Sequence, residues 1–417
     1  MASESTSTPP PFTTLGIVGT GAMGRGIAQL AAQAGLDVML FDVKEGAIQE
    51  AKAFINGLWQ RSVEKQRINA EQAQHYSERL IEASELAALA PCDIVVEAIV
   101  EKLEAKQGLF GDLEAIVSQQ AVLATNTSSL SVTAIAAACQ HPERVIGFHF
   151  FNPVPLMKIA EVIPGLRTTD EVTQRVNALG QAMGHFTAQT TDTPGFLVNH
   201  AGRAFGTEAL RLLGESVADP ATIDRIMVDQ GGFRMGPFTL LDLTGLDVSH
   251  AVMELVYHQY YEEARFRPSP LTRQRLAAGL LGRKTGEGFY RYVEGKQQMP
   301  DEPVIKPASP CPVWISQENP ESAKALTALV HAAGWPLETD PLPTAQALCL
   351  LTPFGEDATS CALRQGLDAE QCVAVDMLAG LDKRRSLMAT PITHSAFIQA
   401  AQSLLNHDGT PVSTLQD

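Results

Sequence analysis

A glycine-rich turn between two apolar stretches constrains the fold more than any other feature. Residues 14–42 read TLGIVGTGAMGRGIAQLAAQAGLDVMLFD: a strand, the glycines, a helical stretch and a second strand that ends in Asp42. In such a unit Gly19 permits the tight turn, Gly21 lets the backbone approach a pyrophosphate, and Gly24 lets helix and strand pack closely. We therefore predict a dinucleotide-binding unit, and the alternative is a Gly-rich turn with only a structural role.

The acid at the end of the second strand predicts which dinucleotide binds. Asp42 lies about 20 residues beyond the glycines, where a carboxylate can accept hydrogen bonds from the adenosine ribose hydroxyls. The same carboxylate would repel the 2′-phosphate of NADP. NAD is therefore the predicted cofactor.

Strand-like and helical stretches then alternate along the chain. Apolar runs recur at VVEA, VLATNTSS, VIGFHFF, KIAEVIP and HFTAQTTD, with helical segments between most of them. This alternation predicts a mostly parallel, doubly wound sheet with helices on both faces, an α/β Rossmann-like domain over residues 14–193. In such sheets ligands gather at the strand C-terminal ends, and VVEA, ATNTSS and FHFFNP place polar residues at such ends.

One histidine and one carboxylate stand among apolar residues in GFHFFNPVPLMKIAEVI, residues 147–163. Burying a polar group without a partner costs about 2–7 kcal/mol, so His149 and Glu161 need partners. If the second strand runs back beside the first, Glu161 can accept from one imidazole nitrogen and make His149 a general acid or base. The alternative is a core histidine bonded to backbone and a glutamate on an edge strand.

The rest of the chain divides by composition into three further segments. Residues 194–295 read as an all-helical domain, residues 296–309 as a Pro-rich linker, and residues 310–417 as a small α/β segment without a glycine fingerprint. The end of this segment faintly echoes residues 157–192, so we interpret it as a degenerate Rossmann-like unit. Residues 1–13, rich in Ser, Thr and Pro, predict a disordered tail.

Composition excludes several classes of partner. A net charge of −16 over 417 residues argues against general nucleic-acid binding. Six scattered cysteines without a C-x-x-C pair indicate reduced thiols and no metal site. No apolar run reaches membrane-spanning length and the N-terminal residues lack a signal-peptide pattern, so we expect a cytoplasmic protein with no membrane partner.

Five motifs give the chain a specific resemblance. ATNTSSL, GFHFFNPVPLMKIAEVI, DTPGFLVN, MGPFTLLDLTGLD and GRKTGEGFYRY follow one another as in the L-3-hydroxyacyl-CoA dehydrogenases, over roughly residues 14–292. The chain resembles bacterial members that act on 3-hydroxybutyryl-CoA and 3-hydroxyadipyl-CoA. The resemblance implies an NAD-dependent oxidation of (S)-3-hydroxyacyl-CoA to 3-oxoacyl-CoA, as in fatty-acid β-oxidation. It also implies a homodimer that forms through the helical domain.

The resemblance assigns expected roles to individual residues. His149 matches the base, Glu161 the carboxylate that orients it, and Ser128 and Asn199 the hydrogen-bond partners around the substrate 3-oxygen. Positions that match residues near the cofactor are Glu101, Lys106, Asn152 and Lys284. Positions expected to meet the CoA phosphates are Lys65 and, one helical turn away, Arg61, with a solvated helix face as the alternative.

Other functions remain open from the sequence. The first is a non-catalytic, NAD-binding structural protein of the same fold, and the second is a β-hydroxyacid dehydrogenase that uses a catalytic lysine. His200, the stretch from Gly202 to Gly206, and Arg234 depart from the usual family pattern. Arg234 is a candidate contact for an acidic acyl group, or else a solvated loop residue. The sequence leaves open both the acyl-chain length and the acceptance of a terminal carboxylate.

Overall fold

The structure is a computed structural model that describes residues 11–417 and divides into two units between Ala201 and Gly202. None of the helices within these residues is both long and apolar enough to cross a membrane.

The first unit is built on an eight-stranded sheet with the order β3-β2-β1-β4-β5-β6-β7-β8. Its strands are β1 (Thr14–Val18), β2 (Asp37–Phe41), β3 (Leu80–Glu82), β4 (Ile94–Glu97), β5 (Val122–Thr125), β6 (Val145–Phe150), β7 (Ile159–Pro164) and β8 (Phe186–Gln189). Its helices are α1 (Ala22–Gln33), α2 (Ala47–Glu64), α3 (Ala70–Glu78), α4 (Leu103–Ile116), α5 (Val132–Ala136), α6 (Asp170–Ala182) and α7 (Val198–Ala201). Neighbouring strands are parallel except β6 and β7, which are antiparallel.

Both faces of this sheet carry an apolar core. Successive residues of a strand point to opposite faces, and Ile17 and Val18 of β1 accordingly belong to two different buried clusters. Val95 and Val96 of β4 divide in the same way. The predicted doubly wound α/β fold is therefore confirmed.

Two observations bear on the predicted bounds of the N-terminal tail and of this domain. Residues 1–10 of that tail lie outside the described residues. Phe12 is buried beneath the Arg175 guanidinium, so the ordered chain begins before residue 14. The first unit extends beyond residue 193 because the amides of Leu197 and Val198 bond to Glu161 in the sheet.

The second unit begins with a helical segment. Its elements are α8 (Arg203–Gly214), α9 (Pro220–Asp229), α10 (Pro237–Thr244), α11 (Leu246–Gln259), α12 (Pro270–Ala277), and a hairpin of β9 (Arg291–Val293) and β10 (Lys296–Gln298). Asp219 caps α9 by accepting from the amides of Ala221 and Thr222 at 2.9 and 3.0 Å. The helices are as predicted, whereas β9 lies in the segment predicted to be all-helical and β10 in the predicted linker.

A six-stranded sheet with the order β12-β11-β13-β14-β15-β16 completes the second unit. Its elements are β11 (Val313–Ile315), α13 (Pro320–Ala332), β12 (Leu337–Glu338), β13 (Leu348–Leu351), α14 (Ala358–Arg364), β14 (Cys372–Val375), β15 (Arg385–Ala389), α15 (Ser395–Leu405) and β16 (Val412–Gln416). Buried Arg384 joins this sheet to the helical segment, since it donates to Asp229 at 2.9 Å and also pairs with Glu302.

The second sheet repeats part of the first. β13 to β16 pair in parallel, antiparallel and parallel order, as β5 to β8 do. Asp192, after β8, accepts from the first two backbone amides of α5 at 2.9 and 2.7 Å. Asp417, after β16, accepts from the first two amides of α14 at 3.0 and 2.9 Å. This shared capping supports the interpretation of the segment as a degenerate Rossmann-like unit.

Candidate active site

His149 and Glu161 lie directly opposite each other on the antiparallel strands β6 and β7. His149 Nδ1 is 2.6 Å from Glu161 Oε2, and the side chains are 3% and 0% exposed. An ionised carboxylate can only accept, so Nδ1 carries the proton and donates it to Glu161. The alternative of a core histidine bonded only to backbone is wrong, because both ring nitrogens face side chains.

Glu161 is held from its other side by the start of α7. Its Oε1 accepts from the backbone amides of Leu197 at 2.9 Å and Val198 at 2.7 Å. Three donors therefore converge on one buried carboxylate and fix its orientation toward the imidazole. A carboxylate held in this way sets the tautomer of the histidine that it contacts.

The second nitrogen of His149 faces Ser128, which follows β5. Nε2 lies 3.2 Å from Ser128 Oγ, and in the neutral ring that carries its proton on Nδ1, Nε2 accepts from the hydroxyl. The Asn199 side-chain amide donates to the Ser128 carbonyl oxygen at 3.3 Å. The structure thus brings together all four residues that the resemblance marks as catalytic.

Aromatic rings border the imidazole. The ring of Phe151 meets the His149 ring edge-on at 4.5 Å between centroids, and the Phe196 ring lies at 5.9 Å. The sequence analysis did not single out either ring, although both lie in motifs that it quoted. These rings contribute to the burial of the His149 side chain, which is 3% exposed.

A buried ion-pair network supports the loop that carries Ser128. The Lys106 ammonium, 1% exposed, lies 2.6 Å from Glu97 Oε1 and 3.2 Å from Glu101 Oε2. Glu97 was not predicted as a site residue, although it is the acid that ends VVEA. Both carboxylates thus enclose the ammonium, and the expected position of Lys106 near the cofactor stays a prediction.

Glu101 holds the loop after β5. One carboxylate oxygen accepts from Thr127 Oγ1 at 2.5 Å and from the amides of Ser128 and Ser129 at 2.8 and 3.1 Å. Burial opposes the ionisation of Glu101, but Lys106 and these donors outweigh it and hold the pKa of Glu101 below its ordinary value. Glu101 therefore positions Ser128, the partner of His149 Nε2.

The three glycines of the turn differ in what the fold demands of them. A Cβ on Gly24 would lie 1.8 Å from the Gly19 carbonyl oxygen, and Gly19 itself has φ +92°. No described atom lies within 4 Å of a Cβ built on Gly21, at the start of α1. Among residues 11–417, no side chain caps this helix. Open space beside an uncapped helix N-terminus fits a pyrophosphate.

Asp42 follows β2, as predicted. It accepts from the Thr20 amide at 2.7 Å, the Thr20 hydroxyl at 2.9 Å and the Lys44 amide at 2.9 Å. Burial opposes the ionisation of Asp42, but these hydrogen bonds outweigh it and lower its pKa. An ionised carboxylate beside the glycine turn fits the hydroxyls of a ribose.

The remaining predicted residues have surroundings of their own. Lys284 belongs to the second unit and pairs with Asp247. Asn152 is exposed in the bend after β6. Arg61 and Lys65 are exposed at the end of α2, where Arg61 Nε donates to a carbonyl of its own helix. Within the described chain, no group of three or more His, Cys, Asp or Glu side chains is arranged to hold a metal.

The repeated sheet of the second unit lacks the His–Glu pair. In the first unit this pair lies three residues beyond the register pair Ile146–Pro164. Three residues beyond the equivalent pair, Val373–Ala389, stand Asp376 and Ser386. The His–Glu pair is therefore not repeated at this place in the second sheet.

Comparison with known proteins decides the family. The family model described as "3-hydroxyacyl-CoA dehydrogenase, NAD binding domain" matches residues 14–193, and the model of the family's C-terminal domain matches residues 195–292. The chain belongs to the 3-hydroxyacyl-CoA dehydrogenase family. The predicted family is thus confirmed.

Relatives of known name support this membership. The chain is 42% identical over 277 residues to 3-hydroxyadipyl-CoA dehydrogenase of Escherichia coli. The aligned stretch covers 66% of this chain but only 58% of that protein. It is 43% identical over 277 residues to a probable 3-hydroxybutyryl-CoA dehydrogenase of Deinococcus radiodurans, covering 66% of this chain and 99% of the relative. The match thus spans little more than half of the E. coli relative.

A solved structure extends the likeness into the last segment. The crystal structure of 3-hydroxybutyryl-CoA dehydrogenase from E. coli matches with a TM-score of 0.82 and 32% identity, over 97% of this chain and 80% of that one. The (S)-3-hydroxybutyryl-CoA dehydrogenase PaaH1 of Ralstonia eutropha matches with a TM-score of 0.66 and 38% identity, over 68% of this chain and 99% of its own.

Proposed function

We propose that the chain is an NAD-dependent dehydrogenase that oxidises (S)-3-hydroxyacyl-CoA to 3-oxoacyl-CoA and catalyses the reverse reaction. The observation that carries the proposal is the buried Glu161–His149 pair, whose second imidazole nitrogen faces Ser128 in a chain of this family. The proposal covers the reaction, the cofactor and the roles of the residues.

His149 acts as the general base. The proton of an alcohol leaves readily only when a base lies within hydrogen-bond reach of it. Nε2 carries no proton when Nδ1 donates to Glu161, so it can take the proton of the substrate 3-hydroxyl. The imidazolium that forms is stabilised by the Glu161 carboxylate at 2.6 Å. Glu161 is therefore a positioning residue, and in the reductive direction His149 returns the proton.

Ser128 and Asn199 complete the surroundings of the reacting oxygen. The Ser128 hydroxyl lies beside Nε2 and can donate to the 3-oxygen as its charge changes. Asn199 uses one N–H on the Ser128 carbonyl and retains another for the substrate. Both groups are held before substrate arrives, which reduces the reorganisation needed during the reaction.

NAD fits the turn between β1 and α1. When bound, NAD supplies the hydride acceptor for C3 of the substrate. The open space at Gly21 and the N-terminal amides of α1 would hold the pyrophosphate, and Asp42 would accept from the ribose. Asp42 also selects against NADP, because a 2′-phosphate would meet a second negative charge.

CoA phosphates would bind at the end of α2. Arg61 and Lys65 stand four residues apart, a spacing that places side chains on one helix face, and both are exposed. Substitution of Lys65 by Ala should raise KM for an acyl-CoA and leave kcat unchanged. An unchanged KM would favour a solvated helix face.

We also propose a cytoplasmic homodimer. Exposed apolar side chains on the helical segment, Leu240, Leu243 and Val248, support association through this segment. All six cysteines are free, which fits a reducing compartment. Sedimentation equilibrium of the chain, with Leu243→Glu as the matched variant, would test the dimer, and a monomeric native chain would contradict it.

The first test of the function is the loss of NADH absorbance with acetoacetyl-CoA. Turnover with NADH, weak turnover with NADPH, and oxidation of the (S) rather than the (R) enantiomer of 3-hydroxybutyryl-CoA are expected. NADH binding without turnover of any 3-oxoacyl-CoA would instead indicate the non-catalytic, NAD-binding alternative.

A further inference from the structure

The strand that carries His149 extends past its neighbour in the sheet. The register between β5 and β6 ends at the pair Thr125–Gly147, whereas β6 continues to Phe150. The Phe150 amide therefore lies beyond the end of β5, and Phe150 is buried. A buried backbone N–H without a partner is costly, and nearly all such groups in folded proteins are paired. The fold must therefore supply an acceptor at this point.

The side chain of Asn126 supplies this acceptor. Asn126 directly follows β5 and is buried, and its Oδ1 accepts from the Phe150 amide at 2.8 Å. The atom that faces this amide is the oxygen, because a backbone N–H can only donate. Asn126 thus takes the place of a further strand residue beside the end of β6, next to the proposed general base His149.

The backbone of Asn126 is held as well. Its amide donates to the Glu97 carbonyl oxygen at 2.8 Å, beyond the last register pair of β4 and β5, Glu97–Thr125. Asn126 therefore follows β5, bonds to the end of β4 through its backbone and bonds to the end of β6 through its side chain. These bonds keep the three strand ends in a fixed arrangement.

Asn126 also begins the loop that carries Ser128. Ser128 follows it by two residues and lies 3.2 Å from His149 Nε2. The hydrogen bond from the Phe150 amide to Asn126 therefore joins the loop of Ser128 directly to the strand of His149. Glu161 contacts His149 from the other neighbouring strand, β7, so the two contacts hold the end of β6 from both sides.

We propose that Asn126 is a positioning residue of the reaction, which holds the Ser128 hydroxyl beside His149 Nε2 through its hydrogen bond to the Phe150 amide. This inference rests on the proposed dehydrogenase function and adds a residue to it. A misplacement of about 1 Å caused by a change far from the reacting atoms can cost about 100-fold in rate, so the loss of this bond should be visible in kcat.

The test separates the acceptor oxygen of Asn126 from its N–H donors. For the wild type, Asn126→Ala and Asn126→Asp, we would measure kcat and KM for the reduction of acetoacetyl-CoA, and the Kd of NADH. Asn126→Ala should lower kcat about 10- to 100-fold and leave KM and the Kd of NADH unchanged. Asn126→Asp retains an acceptor for the Phe150 amide and loses the donors, so it should recover most of this kcat.

A matched control and a second readout support the kinetics. Asn319 Oδ1 also accepts from a backbone amide, that of Ser322, but at the start of α13 in the second unit. Asn319→Ala should therefore keep the wild-type kcat. Hydrogen–deuterium exchange in a peptide that spans residues 145–151 should be faster in Asn126→Ala than in the wild type and Asn126→Asp.

Three results would overturn the inference. A folded Asn126→Ala enzyme with wild-type kcat would show that the bond is dispensable. Equal losses of kcat in Asn126→Ala and Asn126→Asp, or a raised KM in both, would show that the N–H donors contact a ligand instead. Because Asn126→Asp retains the acceptor, its kcat decides between these explanations even if Asn126→Ala does not fold. A wild type that turns over no 3-oxoacyl-CoA would instead contradict the proposed function itself.

Discussion

Replacing Glu161 by Gln tests whether the buried carboxylate controls the tautomer of His149. The amide oxygen of Gln can still accept from the amides of Leu197 and Val198, which contact one oxygen of the native carboxylate. The amide nitrogen then faces Nδ1 and donates to it. Nδ1 must become an acceptor, so the ring proton moves to Nε2, the nitrogen that must be free to take the substrate proton.

The magnitude follows from this tautomer change. A correctly placed general base contributes about 10²- to 10⁴-fold, and reversal of the tautomer in a hydrolase triad costs about 10⁴-fold in kcat. We therefore expect Glu161→Gln to lower kcat 10²- to 10⁴-fold, about 3–5 kcal/mol in the activation barrier. The two retained backbone hydrogen bonds should keep the chain folded and NADH binding unchanged.

The assay is NADH oxidation with saturating acetoacetyl-CoA, with thermal unfolding and NADH titration as folding controls. His141 and Glu143 supply the matched control, since they form a second His–Glu contact at 3.0 Å, on the surface. Glu143→Gln makes the same chemical change outside the site and should leave kcat unaltered. A folded Glu161→Gln enzyme with wild-type kcat would refute the reasoning.

Four further substitutions test the supports of the site and of the cofactor turn. Gly24→Ala places a Cβ 1.8 Å from a carbonyl oxygen and should destabilise the fold by about 1–3 kcal/mol or more. Gly21→Ala meets open space, so it should keep the wild-type melting temperature and weaken NADH binding in a fluorescence titration. Equal melting temperatures for the two variants would contradict this difference. Lys106→Met leaves Glu97 buried without its cation and should cost about 3–5 kcal/mol in urea unfolding, and an unchanged midpoint would show that the pair is dispensable. The lowered pKa of Glu101 means that its ionised form contributes stability above the ordinary glutamate pKa of 4.5, and that this contribution is lost as the pH falls through the lower folded value. The stability difference between wild type and Glu101→Gln should therefore be largest near neutral pH and shrink in acid, and a pH-independent difference would count against the ion network.

Short sequence patterns predict the part of the site that is formed by residues close together in the chain. The positive φ of Gly19 and the contact of Gly24 with its carbonyl follow from a tight strand–helix turn, whose pattern is visible in a short stretch of chain. The pairing of His149 with Glu161 follows from two apolar strands joined by a Pro-rich bend. Both features depend on residues close together in the chain.

The sequence analysis missed features that depend on contacts between different elements of the fold. The Lys106 ammonium meets Glu97 because α4 folds back over the end of β4, a contact that the sequence pattern does not show. The order of Phe12 depends on its packing beneath Arg175, from a helix far along the chain.

The central claim is that His149 removes the proton of the substrate hydroxyl. The most direct measurement is single-turnover NADH formation from (S)-3-hydroxybutyryl-CoA by wild type and His149→Ala, with His141→Ala as a surface control and NADH affinity measured for each. The account predicts that the rate falls by about 10²- to 10⁴-fold in His149→Ala alone, with NADH affinity retained. A His149→Ala enzyme that binds NADH and forms it at the wild-type rate would contradict the account.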